Sequence, residues 1–226
     1  MTLSRVKLKD TDSCSVHDTR DYKTRLMTHL FMYRLTNDTG LAPCIKDNTL
    51  SLAVCKGGQI RNGKPCKRGL RYTIGRDFRE SLEKDSVYVL GIYKDKFLYL
   101  ARVTEIMTMV DYFRKDSKGR MDNIYSVKGE KLVRNNHLRK EGVHIDEDQN
   151  KRDEAGEYVL LSENYIYLGR DAVTVDKVIE AGPKYQGYTY INGKESIAII
   201  RICEKYRDGK EHLPNKPYGQ KCGGRR

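Results

Sequence analysis

The chain has 226 residues, 38% of them apolar and none of them tryptophan, enough for one large domain or two small ones with a modest core. Its 43 Lys and Arg against 31 acids leave a formal net charge of +12, which favours polyanionic partners and places nucleic acid above most others. No run approaches the roughly 18 consecutive apolar residues of a membrane span, and Arg5, Lys7, Lys9 and Asp10 stand where a secretory leader is apolar, so a cytoplasmic protein without membrane contact is expected.

Residues 1–30 mix charges with Ser and Thr and read as an N-terminal extension. One domain is expected over 31–218, because no Gly/Ser- or Pro-rich break interrupts it. Phe31 to Leu35 is a strand candidate that runs into Asn37-Asp38-Thr39-Gly40, a turn whose hydroxyl and amides could touch a ligand. Leu50 to Lys56 follows as a strand with Leu50, Leu52 and Val54 on one face. Ser51, Ala53 and Cys55 occupy the other face, and their small size leaves room for something to lie against them.

Gly57-Gly58 breaks that strand and opens the densest basic stretch before the central hairpin: Arg61, Lys64, Lys67, Arg68, Arg71 and Arg76. Phosphate contact is its functional reading, and a solvated basic loop explains the charge equally well.

From Asp85 to Ile106 two runs rich in Val, Tyr, Ile and Leu flank Lys94-Asp95-Lys96, the sequence form of a tight β-hairpin with a three-residue turn. Both faces are apolar along each run, which belongs to a closed or covered sheet. The hairpin is therefore expected at the centre of a small β-barrel.

Thr108 to Asp111 has the form of a capping box leading into a short helix with Val110, Tyr112 and Phe113 inward. Residues 114–157 are polar and aperiodic, and a segment that long is normally functional or disordered. Within it, Asp122 together with His144, Asp146 and Asp148 could form a catalytic or metal-ligand cluster, although solvated loop charges account for them at least as well. No metal and no cofactor are expected.

A second hairpin is expected from Glu157–Ser162 and Tyr165–Gly169, then a strand at Ala172 to Val175. Glu195 to Tyr206 reads as a helix with Ile197, Ile200 and Cys203 aligned. The pattern is lost after Asp208, and 219–226 reads as a flexible basic tail. Cysteines 14, 44, 55, 66, 203 and 222 form no CxxC pair and read as free thiols. GxGxxG, GxxxxGK[ST], HExxH and GxSxG are all absent, so nucleotide hydrolysis, dehydrogenase and serine-hydrolase chemistry have no sequence support.

Asp38-Thr39-Gly40-Leu41-Ala42-Pro43, Leu50 to Lys56, Ile60-Arg61, the central hairpin, Asp122-Asn123-Ile124-Tyr125, and Tyr158 to Ser162 with Tyr165 to Gly169 resemble the second nucleotide-modification-associated domain family over about 31–218. The family's glycine before the central strand is replaced here by Lys84-Asp85-Ser86, and the basic insert at 62–79 is longer. By pattern the chain is also similar to the PUA-like superfamily, whose members hold a modified base in a pocket. The resemblance implies an α+β fold, a small mixed, mainly antiparallel β-barrel of PUA-like type with a few peripheral helices. It implies a nucleic-acid-binding module that recognises a modified nucleotide, with DNA favoured, in a phage or bacterial base-modification or defence setting.

On that reading a flipped base meets Thr39, Gly40, Ser51, Cys55, Lys56, Arg61, Asn123, Tyr125, Ser162 and Tyr167, while Lys64, Lys67, Arg68, Arg71 and Arg76 hold flanking phosphates. The alternatives are a base- or nucleotide-modifying enzyme or modification-dependent nuclease built on Asp122 and His144, and a protein that binds and inhibits or senses base-modification or defence proteins.

Overall fold

The computed structural model describes residues 27–62, 64–135 and 147–207. The elements run β1 (Met27–Leu35), β2 (Cys44–Lys46), β3 (Thr49–Leu52), β4 (Gly58–Arg61), β5 (Lys64–Arg68), α1 (Leu70–Phe78), β6 (Asp85–Tyr93), β7 (Lys96–Arg102), β8 (Glu105–Thr108) and α2 (Met109–Lys115). They continue with β9 (Tyr125–Lys128), β10 (Lys131–Arg134), α3 (Glu147–Glu154), β11 (Tyr158–Ser162), β12 (Asn164–Tyr167), α4 (Asp176–Ala181), β13 (Tyr188–Asn192) and α5 (Gly193–Glu204). The result is a mixed α+β fold whose strand pairs are antiparallel except for β1 with β6. No helix among the described residues is long and apolar enough to cross a membrane.

Five strands form one sheet in the order β12-β7-β6-β1-β13, and four form a second in the order β2-β3-β11-β8. Phe31, Tyr33, Val87, Val89 and Tyr99 from the first sheet pack with Leu50, Leu52 and Leu160 from the second and with Leu70 and Ile74 of α1. The opposite face of the five-stranded sheet puts Leu30, Met32, Leu90 and Leu100 under Val178 of α4 and Ile199, Ile200 and Cys203 of α5. The opposite side of the four-stranded sheet carries Val159 and Leu161 under Met109, Tyr112 and Phe113 of α2.

This layering does not bear out the barrel expected from the sequence. No barrel closes among the described residues; the central hairpin is apolar on both faces because one face lies on a second sheet and the other on helices. The hairpin turn is also shorter than the sequence reading. Lys94 and Asp95 both adopt positive φ, 48° and 53°, while Lys96 is already in β7, the geometry of a two-residue turn that matches strand twist.

Other expectations change for local reasons. Tyr158–Ser162 and Asn164–Tyr167 do not pair with each other: β11 joins β3 and β8, whereas β12 joins β7. Between them Ser162 donates to the Asn164 carbonyl at 2.9 Å and accepts from the Asn164 amide at 3.2 Å, a turn that sends the chain from one sheet to the other. Val173 makes only a bridge to Phe97, so no strand forms at 172–175. The 50–56 strand stops at Leu52 because Cys55 and Lys56 take positive φ, 59° and 52°.

Helix α2 is capped as expected, with Thr108 accepting from the Asp111 amide, but its inward residues are Met109, Tyr112 and Phe113 rather than Val110. Helix α5 buries Ser196, Ile199, Ile200 and Cys203, and Ile197 is exposed. The polar 114–157 stretch contains the β9–β10 hairpin and α3. Residues 1–26 of the N-terminal extension, and the tail at 219–226, lie outside the described residues.

One glycine is fixed by close approach. A Cβ on Gly57 would lie 1.6 Å from the Arg152 carbonyl oxygen at the end of α3 and 2.8 Å from the Gly156 amide nitrogen. Both obstacles are backbone, so Gly57→Ala is expected to cost about 1–3 kcal/mol in equilibrium denaturation, and no loss would show that α3 can move away from the loop.

Candidate functional site

Three buried polar networks organise the sheets, and they divide the residues singled out in the sequence. The first lies where β1 ends and the 36–43 loop begins. Asp38 is fully buried and accepts from the Tyr167 hydroxyl at 2.9 and 2.8 Å. Beside it the Tyr99 hydroxyl donates to that of Tyr33 at 2.8 Å, and the Lys56 ammonium sits 4.8 Å from the centre of the Tyr33 ring. Burial pushes the phenols of Tyr33, Tyr99 and Tyr167 up, with Asp38 adding in each case, so all three stay neutral.

The rim of this cluster is the half-buried set Thr39, Gly40, Cys55 and Lys56. Gly40 has φ +79°, and the Leu41 amide donates to Thr39 Oγ1 at 3.4 Å, so the loop curls tightly. Of the residues named from sequence, Tyr167 thus bonds Asp38, Thr39 and Gly40 follow Asp38 in the chain, and Cys55 and Lys56 lie near Tyr33.

The second network takes Ser51 away from that rim. Ser51 Oγ donates to Asp122 Oδ2 at 2.5 Å, Tyr112 donates to both Asp122 oxygens at 2.9 Å, and Arg120 Nε stands 3.6 Å from Asp122 Oδ1. Arg120 also donates to Ser51 Oγ at 2.9 Å and to the Cys44 and Thr49 carbonyls at 3.0 Å each. The small-residue face of Ser51 and Ala53 is therefore filled by protein, since both residues are fully buried. Burial raises the Asp122 carboxyl above its ordinary value, against the pull of Ser51 and Arg120. Asn123, next in the chain, accepts from Ser117 at 2.9 Å and ties the loop.

The third network fixes the loop that carries Cys55 and Lys56. Arg71, wholly buried, donates to the carbonyls of Cys55 at 2.7 Å, Tyr158 at 2.5 Å and Asp153 at 2.5 Å. Asp153 accepts the Cys55 amide at 2.6 Å and the Tyr125 hydroxyl at 3.0 Å. Tyr125 is wedged edge-on against Phe113 at 5.3 Å and is 1% exposed, so its ring offers no open stacking face in this structure. Ser162 is engaged in the β11–β12 turn.

Outside these networks the basic stretch separates. Arg61, Lys64, Lys67, Arg68 and Arg76 are exposed, whereas Arg71 is the internal tie just described. Arg68 lies 4.1 Å and Arg76 5.8 Å from the Tyr72 ring centre, and they pair with Glu157 and Asp77 respectively. Of the carboxylate and histidine cluster, Asp148 is exposed on α3, while His144 and Asp146 lie outside the described residues. Among the described residues no three His, Cys, Asp or Glu side chains stand together as metal ligands.

Asp38, Tyr33, Tyr99, Asp153 and Arg120 carry these networks and were not singled out in the sequence. Arg71 offered one signal: it shares a helical face with Leu70 and Ile74, which would turn it inward. A surface cleft of about 300 Å³ between Arg79, Met109, Leu132 and Tyr158 is lined by none of the residues of the Asp38 cluster.

The family model described as nucleotide modification associated domain 2 covers residues 27–220. No curated protein and no solved structure matches the chain.

Proposed function

We propose, from the premise that the chain belongs to the nucleotide modification associated domain 2 family, that it binds nucleic acid and recognises a modified nucleotide, in DNA, at the rim around Asp38. The observation that carries this reading is continuity. The loop presenting Cys55 and Lys56 runs through Gly57 directly into the exposed cations of β4 and β5, so a base site and a phosphate surface are adjacent in the chain.

In this reading Asp38 and Tyr167 are set back as a fixed dipole, and Thr39 and Lys56 meet the polar edge of an extruded base. The base would rest against the half-buried rim of Thr39, Gly40 and Lys56, with Tyr33 buried beneath it, and the Lys56 ammonium would move from the Tyr33 ring to the adjoining phosphate. Asp153 and Arg71 act as positioning residues, since their bonds to Cys55 hold the loop in its positive-φ form. A setting among phage or bacterial base-modification and defence proteins belongs to the same proposal and supplies the modified substrate.

Lys56→Ala tests the site at a half-buried position whose ammonium lies against the Tyr33 ring. Fluorescence anisotropy with a duplex carrying 5-hydroxymethylcytosine or another phage-type modified base is expected to show about tenfold weaker binding, some 1.4 kcal/mol, measured at a temperature where circular dichroism shows the variant folded. Equal affinity of the variant and the natural protein would remove Lys56 from the site and leave the rim without its cation.

A further inference from the structure

The β4–β5 hairpin has an irregular register with a geometric consequence. Gln59 pairs with Lys67 and Ile60 with Pro65, which leaves Cys66 unopposed as a bulge, and Arg61 then pairs with Lys64. In a regular strand residues 64 and 67, three apart, would point to opposite faces. The extra residue restores them to one face, so Gln59, Arg61, Lys64 and Lys67 share a single side of the ribbon. All four are exposed, while Gly58 and Ile60, at the alternate positions of β4, are half-buried.

We propose that this ribbon is a groove reader: it enters the major groove of duplex DNA, a partner that rests on the nucleic-acid reading above and narrows it to a double-stranded, B-form target. Two strands about 4.8 Å apart with their side chains fit a groove about 12 Å wide, which admits a two-stranded ribbon. The deep, narrow major groove of duplex RNA does not.

The ribbon's chemistry divides by position. Arg61 and Lys64 face each other next to Asn62, whose φ is 52°, and they contact phosphates or guanine edges at the tip. Gln59, opposite Lys67, presents an amide able to bond an adenine edge. Single-strand platforms instead need open aromatic faces. The one tyrosine placed among the basic side chains here, Tyr72, has the guanidinium of Arg68 over its ring with Arg76 close by. The surface is thus a set of donors suited to a duplex.

The test uses the full chain and unmodified nucleic acids, so that failure of base recognition and failure of the ribbon are read separately. Anisotropy is measured against one sequence as duplex DNA, single-stranded DNA and duplex RNA, with methyl green as a major-groove competitor. Duplex DNA is expected to bind tightest and to be displaced by methyl green. Arg61→Ala with Lys64→Ala is expected to reduce the slope of log affinity against log salt by about 2 without changing the melting curve. Gln59→Ala with Lys67→Ala, a cross-strand pair on the same face, is expected to weaken duplex binding while leaving binding of the free modified nucleoside intact. Equal binding of single strands or duplex RNA, or an unchanged salt slope in the first double variant, would overturn the proposal.

Discussion

Arg71→Ala is expected to lower the free energy of unfolding by about 3–5 kcal/mol, the loss typical of removing one partner from a buried charged network. The guanidinium is fully buried and its three bonds go to carbonyls on three segments: the 53–57 loop, β11 and the end of α3. Truncation removes this donor from all three carbonyls; the Asp153 carbonyl keeps the Gly156 amide at 3.0 Å, and any group left unpaired carries its full desolvation penalty. Burial pulls the Arg71 pKa down, and the nearby Asp153 carboxylate opposes that shift. Arg71→Lys is expected to recover little, because one ammonium cannot reproduce the planar fork. Urea denaturation followed by circular dichroism checks it, and a loss under about 1 kcal/mol, the worth of a single ordinary hydrogen bond, would mean that the three segments hold without the tie.

Asp122→Ala is the second large effect, again about 3–5 kcal/mol. Asp122 is fully buried, and its removal takes the counter-charge from the Arg120 guanidinium, 7% exposed, and the acceptor from the Ser51 and Tyr112 hydroxyls that now point at the carboxylate. Arg120 Nε already has no hydrogen-bond partner, so the ion pair is its only compensation. The pH dependence runs opposite to that of an ordinary surface salt bridge. Burial raises the folded-state value of Asp122 above the usual 3.8, so over the window that opens near 3.8 the folded protein holds the proton more often than the unfolded chain. Stability from this group is therefore full below that window and falls as pH rises through the folded value. Asp122→Asn is expected to abolish that fall, seen as a difference between the two proteins' unfolding free energies that changes as pH rises from about 3.8. A difference independent of pH would show that Asp122 titrates alike in both states.

The sequence made the central hairpin legible, since its apolar alternation and turn fix two strands wherever they pack. It could not say what covers them. A barrel wall and a sheet between a second sheet and two helices bury the same residues, and only the long-range pairings of β3 with β11 and β1 with β13 distinguish them. The β11–β12 reading failed for the same reason: adjacency in the chain favours pairing, and a serine-capped turn redirected the strand. The site was partly legible because Thr39, Gly40, Lys56 and Tyr167 lie in turns or at strand ends. Asp38 and Arg71 were hidden because a charge count records cations and acids without their burial, and Arg71 among five exposed neighbours reads as one more surface arginine.

The central claim is that the rim around Asp38 recognises a modified base rather than charge alone. Binding of the natural protein to matched duplexes, plain and carrying 5-hydroxymethylcytosine or another phage-type modified base, at about 50 and 200 mM salt tests it most directly. The account predicts that affinity for both falls with salt while the ratio favouring the modified duplex is kept. Equal affinities that vanish together at high salt would contradict it and reduce the +12 charge to a general attraction for polyanions.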